Sequence, residues 1–467
     1  MLFSSIPFLY FFLPCVLLLY CLSPRCLKNA VLLLASLFFY AWGERRYVIW
    51  MLVAILFGYL FGLLIERFRH RPVLAKVLLT LSVASSLSML IYFKYTDFFI
   101  ANFNRLTGLS VALLSIALPI GISFYTFQIL SYTVDVYRGD VAAQRNPISL
   151  ATYVALFPQL IAGPIVRYSD IADQLQNRTH SVELIWNGIG RFLVGLGKKI
   201  LLANTLGELC SIYKASDEKS VLFVWLYAIA YCLHVYFDFS GYSDMAIGLG
   251  KLFGFQFLEN FNYPFISGSI TEFWRRWHMS LGTWFRDYVY IPLGGNRVSP
   301  LRHLFNILVV WMLTGFWHGA AWNFIVWGLY FAVLLVLEKH LLMPHLKKHT
   351  GIGHIYVLFF VAISFVIFDA ANMKDAMTTI GSLFGLGGIP LVSAEFLYYL
   401  RSYGILLLVG IIGATPLPKK LWQKLSAHTK GAKVVAVLSP ILACGLLLIC
   451  TAYLVDGSYN PFLYFRF

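Results

Sequence analysis

Leu313-Thr314-Gly315-Phe316-Trp317-His318-Gly319-Ala320-Ala321-Trp322-Asn323 places one histidine between two apolar runs, Leu304–Leu313 and Phe324–Leu337. No charged residue lies within ten positions of His318. A charged group at membrane depth costs roughly 2.5 kcal/mol or more, so ionisable side chains there face a bundle interior or a wet cavity. Histidine is also the side chain most easily tuned to exchange protons near neutral pH. Two readings of His318 therefore stand side by side. It is a general base that deprotonates a hydroxyl for attack on an acyl group, or it is a hydrogen bond between packed helices. On a continuous helix Thr314 and Trp322, at i−4 and i+4, are expected to flank the imidazole. Gly315 and Gly319 are expected to admit a second helix or a thin ligand.

A second Trp-His pair lies upstream, in Phe273-Trp274-Arg275-Arg276-Trp277-His278-Met279-Ser280-Leu281. Read as helix, this segment sets Trp274 and Arg275 on the side of His278, and the positive neighbour favours a neutral imidazole. Arg275 and Arg276 are expected to pair with Glu272 or with Asp238 and Asp244, or else to contact a thioester cofactor. His234 and Asp238, four apart, read as a structural pair.

The whole chain fits this setting. Of its 467 residues, 60% are hydrophobic and 12% charged, about half the charged share of a soluble domain. Mean hydropathy is +0.75, and apolar runs near 20 residues recur throughout, as bilayer-crossing helices require. This is a polytopic membrane protein. The net charge of +15 does not indicate nucleic acid, because Lys and Arg gather in short loops such as Arg45-Arg46, Arg67–Arg71, Lys347-Lys348 and Lys419–Lys433. Such clusters set topology and meet anionic lipid headgroups, with attraction of an anionic cofactor as a secondary use. Seven cysteines show no CxxC and no metal-like spacing with histidine, so neither a metal nor a cysteine nucleophile is expected. Walker A, GxGxxG and GxSxG patterns are absent.

Ile6–Leu22 has no preceding Lys or Arg and is followed by Arg25 and Lys28. It is expected to be an uncleaved first span with the N-terminus outside the cytoplasm. Ala30–Trp42, Val48–Ile65 and Leu74–Tyr92 continue the series, and Thr96–Asn104 reads as an interfacial segment. Val111–Tyr137, with Pro119 and Gly121, and Ile148–Val166, with Pro158, Gly163 and Pro164, read as broken or re-entrant helix. Such backbone is tolerated at membrane depth only when buried in protein or lining a cavity. A helix over Trp186–Leu206 and a long run over Val221–Leu249 precede the polar insert Glu259–Arg302. Spans over Ala321–Leu337, Ile355–Phe368, Phe396–Ile412 and Val434–Val455 complete roughly a dozen membrane-associated helices, at about 20 residues per span.

Several of these motifs, in this order, resemble the membrane-bound O-acyltransferase family, and within it the bacterial polysaccharide O-acetyltransferases of the alginate and peptidoglycan type. The likeness rests on Met1-Leu2-Phe3-Ser4-Ser5, Ser123–Gln128, Phe157–Pro164, Asp238–Asp244, Asn260–Pro264, both Trp-His segments and Pro461–Phe467. It implies an all-α polytopic membrane protein, with a ring of transmembrane helices around re-entrant helices and a thin central waist. Residues 1–467 are expected to form one membrane domain, with N-terminal spans over 1–110, a catalytic core over 111–323, and C-terminal spans with the aromatic terminal motif over 324–467. The resemblance implies that His318 is the active-site histidine and His278 its assistant, with Arg275, Arg276, Trp277, Asn262 and Asp238 shaping the donor channel. The implied donor is cytoplasmic acetyl-CoA and the implied acceptor an extracytoplasmic polysaccharide. A separate SGNH-hydrolase-like acetyltransferase partner completes the transfer, and the location is the bacterial inner membrane. Tyr464 is either an acyl relay to that partner or an aromatic belt anchor. The related teichoic acid D-alanyl transferase shares both histidine segments, so D-alanyl transfer stands as an alternative. A transporter with His318 on its pathway is a further one.

Overall fold

The computed structural model describes residues 1–161 and 163–457, and every regular element among them is helical. They form two compact units: Met1–Phe192 with Met245–Leu258, and Leu193–Asp244 with Glu259 onward. Tyr464 and the terminal motif lie outside the described residues.

The first unit begins with a π-helical turn, Phe8–Phe12, that leads into α1 (Leu13–Leu22). The spans α2 (Lys28–Gly43), α3 (Val48–Arg67) and α4 (Pro72–Lys94) follow, then the short α5 (Thr96–Thr107). Residues 108–119 have no regular structure. The chain re-enters as α6 (Ile122–Arg138), which is buried along most of its length. Close packing of α3 on α6 requires glycine. A Cβ at Gly58 would lie 2.9 Å from Ile129, and one at Gly62 would lie 2.6 Å from the Tyr132 hydroxyl.

The expected break around Pro158 takes a definite form. Between α7 (Pro147–Ala155) and α8 (Phe157–Leu160), Leu156 adopts φ −54°, ψ 110°. Pro158 falls in the first turn of α8, where its missing N–H is no loss. The backbone groups freed by the break find partners. Phe157 N donates to Ser36 Oγ at 3.1 Å, and Gln159 Nε2 donates to the Tyr153 carbonyl at 2.6 Å. Irregular backbone away from water survives only when repaired in this way. Two further helices, α9 (Tyr168–Ile171) and α10 (Val182–Gly197), follow.

The second unit opens at Leu193, inside α10, and a π-helical stretch, Lys198–Asn204, continues that helix into α11 (Thr205–Ala215). α12 (Val221–Leu252) is 32 residues long, about 48 Å at 1.5 Å per residue. After it come α13 (Ile270–Arg276), α14 (Met279–Phe285), α15 (Pro300–His318), α16 (Trp322–Leu337), α17 (Met343–Lys348) and α18 (Thr350–Asp369). The last are α19 (Met373–Leu383), α20 (Ala394–Gly413), α21 (Leu417–Ser426) and α22 (Thr429–Val455). Among the described residues, eight helices are long and apolar enough to cross a membrane: α2, α3, α4, α12, α16, α18, α20 and α22. They are not equivalent. In its most apolar window α12 is 78% buried by protein, whereas α22 is 6% buried, so α12 can carry polar groups that α22 cannot.

Two ion pairs on α12, one buried and one partly buried, use that licence. Lys199 Nζ meets Asp238 Oδ1 at 2.6 Å, with both side chains almost fully enclosed, and Lys198 Nζ meets Asp244 Oδ2 at 2.7 Å. Gly241 admits the approach, since a Cβ there would lie 2.8 Å from the Gly195 carbonyl oxygen. This corrects the expected pairing of Asp238 and Asp244 with the arginines of the first Trp-His segment. His234 Nδ1 meets the Ala203 carbonyl at 2.6 Å, and the Asp238 carboxylate four residues on acts on the same imidazole, as the spacing suggests. Lys198 and Lys199 precede these aspartates by about 40 residues, so the pairing depends on how the helices pack and not on local spacing.

Candidate functional site

All the residues that follow belong to the second unit. α15 and α16 form a hairpin that touches backbone to backbone. A Cβ at Gly315 would lie 2.2 Å from the Phe324 carbonyl oxygen, and one at Gly328 would lie 2.2 Å from that of Trp311. The expected close helix approach at Gly315 is therefore present. At Gly319 the space is filled by the Phe324 ring, 2.2 Å from where a Cβ would sit.

His318 is the last residue of α15, and Gly319 is extended (φ −167°, ψ 155°). The helix therefore does not continue to Trp322, and the expected i−4/i+4 flank does not form. Thr314 Oγ1 donates to the Val310 carbonyl at 2.8 Å, and Trp322 starts α16 with 52% of its surface exposed. The half-buried imidazole instead stands edge-on to three rings. Centroid distances are 4.9 Å to Trp317, 5.1 Å to Trp327 and 5.2 Å to Phe368.

Phe368 also lines a cavity of about 610 Å³, a size suited to a small ligand. Asp369, fully buried in its wall, accepts from the Tyr227 hydroxyl at 2.5 Å and pairs with Lys214 Nζ at 2.5 Å. Tyr213 stacks on Tyr227 with centroids 4.4 Å apart. Asn323 Nδ2 donates to the Ala370 carbonyl at 3.0 Å, tying the start of α16 to the end of α18. Its Oδ1 is buried with no partner among the described residues. The cavity thus combines an aromatic platform, a cation, a carboxylate and an unused acceptor, with the Phe368 ring between it and His318.

His278 occupies a different backbone. The expected helix breaks here: α13 ends at Arg276, Trp277 is extended, and His278 is left-handed at φ 47°, ψ 52°. A non-glycine residue in this region stores of order 1–3 kcal/mol and persists only where its surroundings over-determine it. Those surroundings are the loop before α13. Asn262 N donates to the Arg276 carbonyl (2.9 Å), Met279 N to the Asn260 carbonyl (2.9 Å), and Ser280 Oγ to Asn260 Oδ1 (2.9 Å). The imidazole is 6% exposed, and its Nδ1 has no partner among the described residues. Burial holds it well below the usual histidine range, at about 4, so it is neutral at physiological pH. Its ring lies 6.1 Å from Trp317, which in turn touches His318. One indole is a shared wall for both histidines.

The other sequence candidates divide. Arg276 pairs with Glu272 at 2.8 Å, one of the expected partners, and donates to the Asn262 carbonyl at 3.1 Å. Trp277 stacks on Phe273 with centroids 5.5 Å apart. Arg275 is exposed, and Asp238 belongs to the Lys199 pair. Sequence reasoning passed over Lys214, Tyr227 and Asp369, and also Glu338 just beyond α16. Glu338 is fully buried. Its Oε1 accepts from Ile270 N, and its Oε2 accepts from Thr271 N at 2.9 Å and Thr271 Oγ1 at 2.7 Å. A carboxylate there satisfies the orphan donors of the first turn of α13. The available signal was a lone acid at the end of an otherwise apolar span, seen in both Glu338 and Asp369.

An all-helical, multi-pass membrane protein with a half-buried imidazole one ring from a polar cavity is the class that fold and site define. The sequence profile of the membrane-bound O-acyltransferase family matches residues 141–374. A protein named probable alginate O-acetylase from Azotobacter vinelandii is 39% identical, with all of both chains covered. The peptidoglycan O-acetyltransferase of Helicobacter pylori is 32% identical over all of this chain and 98% of its own. The teichoic acid D-alanyltransferase of Bacillus subtilis is 30% identical over 54% of this chain and 68% of its own. The chain belongs to the membrane-bound O-acyltransferase family and is an O-acyltransferase.

Proposed function

We propose that this enzyme takes an acetyl group from cytoplasmic acetyl-CoA for O-acetylation of an extracytoplasmic polysaccharide, working in the bacterial inner membrane. The observation that carries the reading is that Phe368 is both a wall of the His318 cage and a wall of the polar cavity. α16 and α18 run from that cavity to the basic turn over Lys339–Lys348. By the positive-inside rule the turn is cytoplasmic and the cavity opens outward. The full-length likeness to an alginate and a peptidoglycan O-acetylating protein supports acetyl as the group and polysaccharide as the acceptor.

In this reading residues 111–323 are the catalytic core. His318 accepts the proton of an acceptor hydroxyl, whose oxygen forms a C–O bond to the thioester carbonyl carbon. The C–S bond breaks, and the thiolate leaves with the proton held by the imidazolium. His278, kept neutral, supplies a hydrogen bond through its unused Nδ1. Arg275 and Trp277 contact the donor. Arg276, Asn262 and Asp238 act at one remove, through the loop and the ion pair that hold the site. An SGNH-hydrolase-like partner outside the membrane receives the group, with Tyr464 either its relay or an aromatic belt anchor. Likeness to the D-alanyltransferase over about half the chain favours one second reading, D-alanyl transfer from a carrier-protein thioester.

The test is thioester turnover by purified protein offered each donor in turn. Acetyl-CoA consumption by wild type, lost in a folded His318→Ala variant, supports the proposal. Turnover of the D-alanyl carrier thioester alone selects the second reading. A transporter would leave both donors intact.

A further inference from the structure

The first unit holds a concentration of charge that the reaction above does not use. Asn29, in the first turn of α2, commits its amide nitrogen to Ser149 Oγ (3.2 Å) and the Leu175 carbonyl (2.9 Å). That fixes its carbonyl oxygen, which accepts from Arg178 Nη2 at 2.5 Å. The guanidinium lies 4.7 Å from the Phe255 ring and 5.7 Å from that of Tyr20, and Lys28 Nζ sits 4.5 Å from the same tyrosine ring. Tyr20 donates to the Phe253 carbonyl at 2.8 Å and meets His180 Nε2 at 3.0 Å. Gly254, at φ +81°, leaves room for that histidine, since a Cβ there would lie 3.1 Å from Nε2. Burial first, then Lys28, Arg178 and Arg25, holds the His180 imidazole below its ordinary range.

No carboxylate among the described residues pairs with these charges. Among the described residues Arg25, Lys28, Arg178 and His180 form no ion pair, and Arg178 Nη1 is buried without a partner. Lys198, Lys199, Lys214 and Arg276, by contrast, each meet an acid among the described residues. Topology asks only for exposed positive charge in short loops. It does not ask for a guanidinium clamped between two rings with a donor withheld from water. A buried donor without an acceptor is a cost that a bound anion removes. Arginine's planar donors suit the paired oxygens of a phosphate.

We propose that Arg178, Lys28, His180 and Arg25 form a phosphate-binding site on the cytoplasmic side of the first unit. Two phosphates are available at that face. One is the adenosine bisphosphate end of a coenzyme A donor, an identification that rests on the function proposed above. The other is the headgroup of an anionic phospholipid, for which the site stands alone.

The experiment uses full-length protein in phosphatidylcholine nanodiscs. Adenosine 3′,5′-bisphosphate is one probe, and phosphatidylglycerol titrated into the disc is the other. Loss of one charge-assisted contact should weaken at least one probe about tenfold in Arg178→Gln and in Lys28→Gln. Arg178→Lys should fall between these and wild type. The control pair Lys347→Gln with Lys348→Gln, which removes equal or greater charge from another loop, should change binding less than about twofold. Lys28→Gln keeps the test decisive if Arg178→Gln fails to fold. Equal losses in the control, or no loss for either probe, overturn the site. If the site fails while His318-dependent acetyl-CoA turnover persists, the proposed function stands without it. If phosphatidylglycerol binding depends on the cluster and no thioester is consumed, the site stands and the proposed function falls.

Discussion

His278 and His318 each follow a tryptophan, and Trp317 touches both, yet the fold gives them opposite circumstances. His278 is held in a left-handed turn by loop hydrogen bonds and is enclosed and neutral. His318 ends a helix and is half-buried, one ring away from a polar cavity. The same dipeptide is thus enclosed in one place and set against a cavity-wall ring in the other. Backbone conformation, and not residue type, makes the distinction.

Four measurements break or sharpen that contrast. The largest effect is expected from His318→Ala, which should cut acyl transfer by about 10²–10⁴-fold, as loss of a general base does. The thermal midpoint should move little; an active His318→Ala enzyme collapses the contrast. Next is Gly328→Ala, whose Cβ would meet the Trp311 carbonyl oxygen at 2.2 Å. Overpacking of this kind costs about 1–3 kcal/mol, and the shifted hairpin should lower turnover with it, read by thermal unfolding alongside activity. Asp369→Asn leaves His318 in place but unpairs Lys214. An increase of about tenfold in acceptor KM, with donor KM unchanged, is expected from one lost charge-assisted contact. The smallest effect belongs to His278→Gln. Because burial lowers the folded-state pKa to about 4, the unfolded chain binds the extra proton first, near 6.5. Wild-type stability should therefore fall as pH drops from about 6.5 toward 4. His278→Gln should flatten that slope in melts at pH 7 and 5, while the activity profile between pH 6 and 8 keeps its shape.

The spans were legible because apolar runs of bilayer length have few alternatives. The break near Pro158 could also be read, since proline and glycine constrain the backbone locally. The turn at Trp277-His278 could not. Nothing in Phe273–Leu281 forbids helix; the turn is imposed by Asn260 and Asn262, some 14 to 20 residues earlier. Partner choice failed for the same reason. Asp238 and Asp244 were seen to need cations, but Lys198 and Lys199 win them through helix packing. The Trp-His segments marked where to look, while Asp369 and Asn323, which equip the cavity, lie 51 and 5 residues beyond His318 in sequence.

Glu338 has a consequence that reaches both histidines. It follows directly on α16, whose Trp327 presses on His318, and it clamps the opening turn of α13, the helix that leads to His278. α16 therefore works as a tie-rod whose two ends hold different imidazoles. Loosening the carboxylate end should cost alignment at both.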